Sequence, residues 1–210
     1  MDIAFSEEKD KILVIYLDDI IVYSNSDEDH MQHLQRVFNK CRRYGISLNP
    51  KKSHFSMAEG KLLGHIISKD GIKIDPQRVH AILQVDLPRN KKEVQSFLGQ
   101  VNFLRRFISC FAEIVKNITN MLRKDHEIKW TEDAKRSFQE IKQAIATAPV
   151  LISPDFTKDF LIFSYASEHT VAGVLLQKNE KGEEQPVAFY SKTLRDAPLK
   201  YDILDKKAYV

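Results

Sequence analysis

Two short apolar runs separated by one polar pair lie near the start of the sequence. Residues 12–17 and 20–23 are rich in β-branched and aromatic side chains, and only Asp18 and Asp19 lie between them. Two such runs joined by two polar residues predict a tight β-hairpin, and their apolar content predicts that both strands are buried.

The next apolar residues change from runs to helical spacing. Residues 31–41 carry Met, Leu, Val, Phe and Cys on one helical face, and Gly45 follows where a C-terminal cap would stand. Beyond this helix, residues 62–68 predict one apolar strand. That strand is expected to turn at residues 69–71 into a second strand at residues 72–74.

A long helical region begins at Asp75, which fits an N-cap with Pro76 at the first helical position. Asn90 and Glu93 then fit a variant of the capping box. The apolar stripe that follows consists of Val94, Phe97, Leu98, Val101, Leu104 and Ile108. Further helical segments are predicted at residues 114–122 and 131–145.

Strand patterns return after the helices. Residues 160–165, 171–177 and 186–191 predict an antiparallel meander, and residues 201–210 begin another helix. The predicted fold class is therefore α/β (α+β), with β-hairpins first, helices in the middle and an incomplete second α/β unit at the end.

Composition changes this picture little. The chain has 210 residues, 43% of them hydrophobic, which is enough for a core, and its net charge of +3 permits a polyanionic partner without demanding one. Cys41 and Cys110 lack ligand spacing, which favours a reducing intracellular compartment, either cytoplasm or nucleus. No apolar run reaches the roughly 20 residues of a membrane span, so no membrane partner is expected.

Candidate chemistry starts at the acidic pair. Two adjacent carboxylates at a hairpin tip repel each other, and a divalent cation such as Mg²⁺ would relieve the repulsion. Such an ion can also stabilise the oxygens of nucleotidyl transfer. A solvated turn is the competing interpretation, because Asp is common in turns. For the pair alone, the solvated turn is favoured.

Four longer motifs reverse that preference. They are the runs Tyr16 to Ser24, Leu48 to Phe55, Leu63 to Ser68 and Phe97 to Ile108. In this order they resemble the active-site hairpin, nucleotide motif, primer grip and thumb of the reverse transcriptase of gypsy-type LTR retrotransposons. Residues 130–151 resemble the connection that follows.

The resemblance assigns roles to individual residues. It implies that Asp18 is a catalytic metal ligand for Mg²⁺, with Asp19 as its weaker partner. Lys51 or Lys52 would meet the phosphates of the incoming nucleotide, although an exposed turn after Asn49-Pro50 would look the same. The primer grip would comprise Leu63, Gly64 and His65, and His65 is equally compatible with a packed strand histidine.

The thumb would present polar and basic groups to an RNA–DNA or DNA primer-template duplex. These groups are Gln95, Gln100, Asn102, Arg105 and Arg106. A solvated helix face would carry similar residues, so the sequence leaves both interpretations open.

The last part resembles the opening of an RNase H domain with two catalytic positions lost. Where the family has Thr-Asp-Ala-Ser, this chain has Ser164 followed by Tyr165, and Lys207 aligns with the next catalytic Glu. Neither residue suits Mg²⁺ at neutral pH. Some plant gypsy-type elements carry a similarly altered domain, which suggests a plant-type element and a structural role.

The resemblance also predicts domains and activity. Residues 1–75 would be a palm remnant, 76–125 the thumb, 126–148 the connection and 149–210 an incomplete RNase H-like domain. The family's other metal-binding Asp precedes the hairpin, and only residues 1–11 stand there. We therefore expect a fragment of a Pol polyprotein's RNA-directed DNA polymerase that is inactive alone. A non-catalytic nucleic-acid-binding or subunit-like remnant, and a gene-fragment product without a role, are the alternatives.

Overall fold

The computed structural model describes residues 1–123 and 127–209 and divides the chain into two compact units, Met1–Met57 and Ala58–Val210. The first unit contains strand β1 (Leu13–Tyr16), strand β2 (Asp19–Val22) and helix α1 (Asp27–Arg43). The two strands pair antiparallel, which confirms the predicted hairpin.

Burial in the first unit differs from the prediction. Leu13 is the only buried residue of β1 or β2, so the expectation of two buried strands is wrong. A two-stranded sheet covered on one side leaves its other face open to solvent. The small core comprises Ala4, Phe5, Leu13, Val37 and Cys41.

Helix α1 ends where its sequence predicts, and a serine caps its start. The Ser26 hydroxyl accepts a hydrogen bond from the Asp29 N–H (3.2 Å) and caps the N-terminus. At the other end Gly45 has a φ of 64°, and the Ile46 N–H donates to the Cys41 carbonyl at 2.9 Å. This arrangement is a Schellman cap, in which glycine adopts the left-handed conformation at no steric cost.

The second unit begins with a three-stranded antiparallel sheet of β3 (Glu59–Leu62), β4 (His65–Ser68) and β5 (Gly71–Ile74). The predicted single strand at residues 62–68 is wrong because Leu63 and Gly64 form a tight turn, with φ values of 52° and 75°. Two positive φ values fit the type I′ turn whose twist matches that of the flanking strands.

The described residues that follow contain the helices α2 (Pro76–Leu83), α3 (Lys91–Asn102), α4 (Phe111–Ile114), α5 (Lys116–Asn120) and α6 (Glu132–Ala146). The predicted caps at Asp75 and Asn90 are confirmed, and Thr131 caps α6; each of these side chains accepts a backbone N–H. The helix predicted at residues 114–122 is instead two short helices. The predicted apolar stripe extends past α3, and Leu104 and Ile108 are buried in the irregular segment after it.

The end of the chain forms a separate antiparallel sheet. Its strands are β6 (Leu161–Ala166), β7 (Thr170–Lys178) and β8 (Glu184–Thr193), followed by helix α7 (Ile203–Ala208). The sheet order β6-β7-β8 confirms the predicted meander, while the helix prediction at Val210 lies outside the described residues. Leu151 exchanges backbone hydrogen bonds with Ile72 (2.7 and 2.9 Å). The Ile152 N–H donates to Pro186 at 2.9 Å, so this segment connects the two sheets of the second unit.

Candidate active-site hairpin and nucleic-acid interface

The acidic pair lies at the tip of the β1–β2 hairpin, shifted by one residue from the predicted turn. Leu17 and Asp18 form the turn, whereas Asp19 is the first residue of β2 and pairs with Tyr16. Leu17 has a φ of 52°, a conformation that L-residues with a branched side chain rarely adopt. The strained turn places both carboxylates at an exposed tip.

Two adjacent carboxylates could supply only part of a magnesium site. Within the described ranges, no group of three or more His, Cys, Asp or Glu side chains gathers as a metal site. Mg²⁺ commonly takes one or two carboxylates and completes its shell with water and substrate phosphates. The hard oxygen donors of Asp18 and Asp19 fit that pattern.

The two candidate phosphate-binding lysines lie in a short 3-10 turn, Pro50–Lys52. The Asn49 side chain accepts a hydrogen bond from the Lys51 N–H at 3.0 Å and so fixes the start of the turn. Lys51 and Lys52 are both exposed. This geometry is compatible with a phosphate contact and with a solvated turn, so the assignment stays a prediction.

The predicted primer-grip residues surround the β3–β4 turn. Leu63 is 45% exposed, and Gly64 occupies the second turn position. The His65 ring stacks on Phe103 (centroids 4.8 Å apart) and on Phe107 (5.3 Å). Its Nε2 is buried and has no hydrogen-bond partner among the described residues. The imidazole therefore packs between the sheet and the segment after α3.

Burial lowers the pKa of His65, and the positive charges of Arg106 and Arg78 lower it further. The unfolded chain takes up a proton on this imidazole below a pH of about 6.5, whereas the folded chain does so only at a lower pH. Packing of the neutral His65 ring therefore contributes stability that is fully present above that pH. This contribution is lost as the pH falls towards the lowered folded-state pKa.

Replacing His65 by phenylalanine should remove this pH dependence. His65→Phe retains a stacked ring and eliminates the unpartnered nitrogen, so we expect equal or higher stability at pH 7.5 and a larger advantage at pH 5.5. Urea unfolding of both proteins at the two pH values measures the difference. An advantage that does not grow on acidification would contradict the prediction.

The five predicted thumb residues are all exposed. Gln95, Gln100 and Asn102 lie on α3, and Arg105 and Arg106 lie in a 3-10 turn just after it. Their exposure makes them accessible to a duplex, and the solvated-face alternative remains compatible with it.

Two residues close to the primer-grip turn and to the end of α3, Arg78 and Phe103, were not identified from the sequence. The Arg78 guanidinium lies over the Phe103 ring, 4.2 Å from its centroid, and Phe103 is 41% exposed. The sequence signal that could have identified Phe103 is its position as an aromatic residue just outside the apolar stripe of α3. No sequence spacing links it to a basic residue on another helix.

The predicted lost RNase H positions are exposed on separate elements. Tyr165 is in β6, opposite Ala172 of β7, and Lys207 is in α7. The neighbouring Lys206 is buried, and its ammonium donates to the Glu168 carbonyl at 2.9 Å. Lys206 thereby attaches α7 to the loop after β6.

Comparison with known proteins gives two family matches. Residues 1–67 match the family described as reverse transcriptase (RNA-dependent DNA polymerase), and residues 130–210 match the RNase H-like domain found in reverse transcriptase. The chain therefore contains a reverse transcriptase segment followed by an RNase H-like segment.

Among the relatives are the transposon Tf2-3 and Tf2-7 polyproteins of Schizosaccharomyces pombe. Each is 34% identical to this reverse transcriptase segment over 201 residues, which is 96% of the chain and 15% of the relative. The chain thus spans about a seventh of the length of these relatives. Both come from a fission yeast, so the suggested plant-type origin gains no support.

Three solved foamy viral protease-reverse transcriptase structures share this fold, in complexes with double-stranded DNA or an RNA/DNA hybrid. Each matches with a TM-score of 0.82 and 28% identity. Coverage is 98 to 99% of this chain and 28 to 43% of theirs. The combination of β-sheets and helices, in the order palm, thumb and RNase H-like domain, confirms the predicted fold class. No described helix is long and apolar enough to cross a membrane.

Proposed function

We propose that this chain supplies the active-site hairpin, primer grip and thumb of an RNA-directed DNA polymerase. The observation that carries the proposal is the hairpin tip, where Asp18 and Asp19 stand adjacent and exposed. Mg²⁺ held by these two residues would stabilise charge on the oxygens of nucleotidyl transfer. The predicted domains are part of the proposal; the boundary between thumb and connection lies outside the described residues.

Polymerisation by the chain alone is not expected. A two-metal site needs more ligands than two adjacent carboxylates, and the described residues bring no third acidic side chain to the pair. Primer extension on an RNA template, with Mg²⁺ and the 210-residue chain, should give no product. Magnesium-dependent synthesis that is lost in Asp18→Asn would overturn this expectation.

A second candidate function is binding of a primer-template duplex without catalysis. The exposed guanidinium groups of Arg105 and Arg106, next to the polar face of α3, favour it. Contacts to phosphates release counterions, so duplex affinity should fall steeply as salt is raised. The partner would be an RNA–DNA or DNA duplex, held through its backbone rather than its sequence.

This second function predicts a defined change in salt dependence. Arg105→Gln/Arg106→Gln should weaken binding of an RNA–DNA hybrid and flatten the plot of log affinity against log salt by about one for each phosphate that the variant no longer neutralises. Fluorescence anisotropy over a salt series measures both quantities. Lys181→Gln, in the turn between β7 and β8, is the matched control and should change neither. Salt-independent binding by the unaltered chain would exclude the function.

For the RNase H-like segment we propose a structural role. Tyr165 and Lys207 replace the carboxylates that a metal-dependent nuclease needs. The RNA strand of a hybrid should therefore stay intact during incubation with Mg²⁺ and the chain, under conditions in which an active RNase H degrades it. Cleavage that Tyr165→Phe reduces would refute the structural role.

A further inference from the structure

The β3–β4 turn lies against the side chain of Arg78. A Cβ atom added to Gly64 would overlap the Arg78 guanidinium, so glycine at this position leaves the space that the guanidinium fills. The turn is also tied to the start of α2, where the Asp75 N–H donates to the Gly64 carbonyl at 3.3 Å. Arg78 and the primer-grip turn are therefore in direct contact.

The same guanidinium reaches the end of the thumb helix. Its Cζ is 4.2 Å from the centroid of Phe103, the residue that ends α3. The Phe103 ring in turn stacks on His65, which directly follows Gly64. Turn, guanidinium, phenyl ring and imidazole thus form a closed set of contacts that joins the sheet, α2 and α3.

The carboxylate of Asp75, on the turn of α2 before Arg78, is paired with other groups. Asp75 forms an ion pair with Lys61 and accepts the Gln77 N–H at 3.0 Å as the cap of α2. Arg78 has no salt bridge within the part of the chain that the structure describes. A guanidinium without a carboxylate partner is free to stack its plane on an aromatic face.

We propose that Arg78 is a positioning residue, which holds the Leu63–Gly64 turn in a fixed relation to the end of α3. A duplex would then meet the turn and the exposed thumb residues as one preformed surface, so less conformational entropy is lost on binding. This inference rests on the proposed duplex-binding function.

A direct phosphate contact by Arg78 is the competing role, and the two roles respond differently to a change that keeps the charge. Lysine retains one positive charge but lacks the planar group that fits between Gly64 and Phe103. Positioning predicts that Arg78→Lys lowers affinity at every salt concentration and leaves the salt slope unchanged. A phosphate contact predicts near-normal affinity in Arg78→Lys and a smaller slope in Arg78→Met.

The experiment is anisotropy titration of an RNA–DNA hybrid with the full chain. Arg78→Lys should weaken binding about threefold or more. Phe103→Leu should also weaken binding about threefold or more. The double variant should bind no worse than the single variant with the lower affinity, because both changes break the same set of contacts. Arg89→Lys, an exposed arginine before α3, is the matched control. Unchanged affinity in Arg78→Lys, or additive losses in the double variant, would overturn the proposal.

Amide hydrogen exchange gives a readout that does not depend on binding. In the unliganded chain, Arg78→Lys should raise exchange at His65 and at the last turn of α3 together, while amides of β7 stay protected. Exchange that is unchanged at both places would reject the positioning role even if duplex binding were absent. Loss of protection throughout the second unit would also reject it, as a general destabilisation. Absence of binding by the unaltered chain would instead count against the proposed function.

Discussion

Gly71→Ala is expected to lower the free energy of unfolding of the second unit by about 3 kcal/mol. Gly71 has a φ of 125°, where side chains are strained, and it is buried at the start of β5. An added Cβ would overlap the Leu151 carbonyl oxygen and lie 3.0 Å from the Leu151 carbonyl carbon. Because backbone atoms of a paired segment cannot rotate away, the Ile72–Leu151 hydrogen bonds should break.

Two other glycines separate the causes of this loss. Gly182 has a φ of 81° with open space around it, so Gly182→Ala tests backbone strain alone, at roughly 1 kcal/mol. Gly60 also has open space and no positive φ, and Gly60→Ala should stay within about 0.5 kcal/mol of the unaltered chain. Urea unfolding followed by circular dichroism ranks the three variants. A Gly71→Ala loss no larger than that of Gly182→Ala would show that the contact with Leu151 is not rigid.

Local signals account for what the sequence predicted correctly. A helix cap depends on residues within one turn, and Asn90 caps α3 through the Glu93 N–H at 3.0 Å. The Glu93 carboxylate accepts the Arg89 N–H at 2.7 Å, one residue before the position that a capping box would use. The acidic hairpin tip was recognised for the same reason, since its residues are adjacent in the chain.

The β3–β4 turn was missed because its residues read as part of an apolar strand. Leu63 shows no turn signal of its own, and a single Gly64 within an apolar run is compatible with a strand. The turn is held instead by partners distant in sequence. Arg78 and Phe103 contribute them, and no periodicity in the chain relates these two residues to each other.

Helical periodicity predicted which residues of α3 are buried in the core. It did not predict which aromatic rings touch each other there. The apolar stripe of α3 predicted that Phe97 is buried, and it is 1% exposed. Its ring meets Phe138 of α6, with centroids 4.7 Å apart. Pairing of α3 with α6 depends on how the intervening α4 and α5 return the chain, which amphipathic patterns do not specify.

Phe138→Ala should be the most destabilising side-chain truncation in this core, at about 3–5 kcal/mol. The ring is 1% exposed and contacts Phe97, Trp130 in a T-shaped arrangement (ring centroids 5.5 Å apart) and the Lys142 ammonium (4.5 Å from the ring centroid). Alanine would leave a cavity between α3 and α6 that well-packed neighbours fill only partly.

Trp130 makes this loss measurable at the site itself. It is the single tryptophan of the chain, and its indole N–H donates to the Pro88 carbonyl at 2.7 Å. Its fluorescence during urea unfolding, with circular dichroism as the independent probe, should show a lower midpoint for Phe138→Ala. Phe156→Ala, whose ring is 84% exposed, removes the same atoms without a cavity and should stay within about 0.5 kcal/mol. Equal losses in the two variants would mean that the α3–α6 contact does not stabilise the fold as its burial indicates.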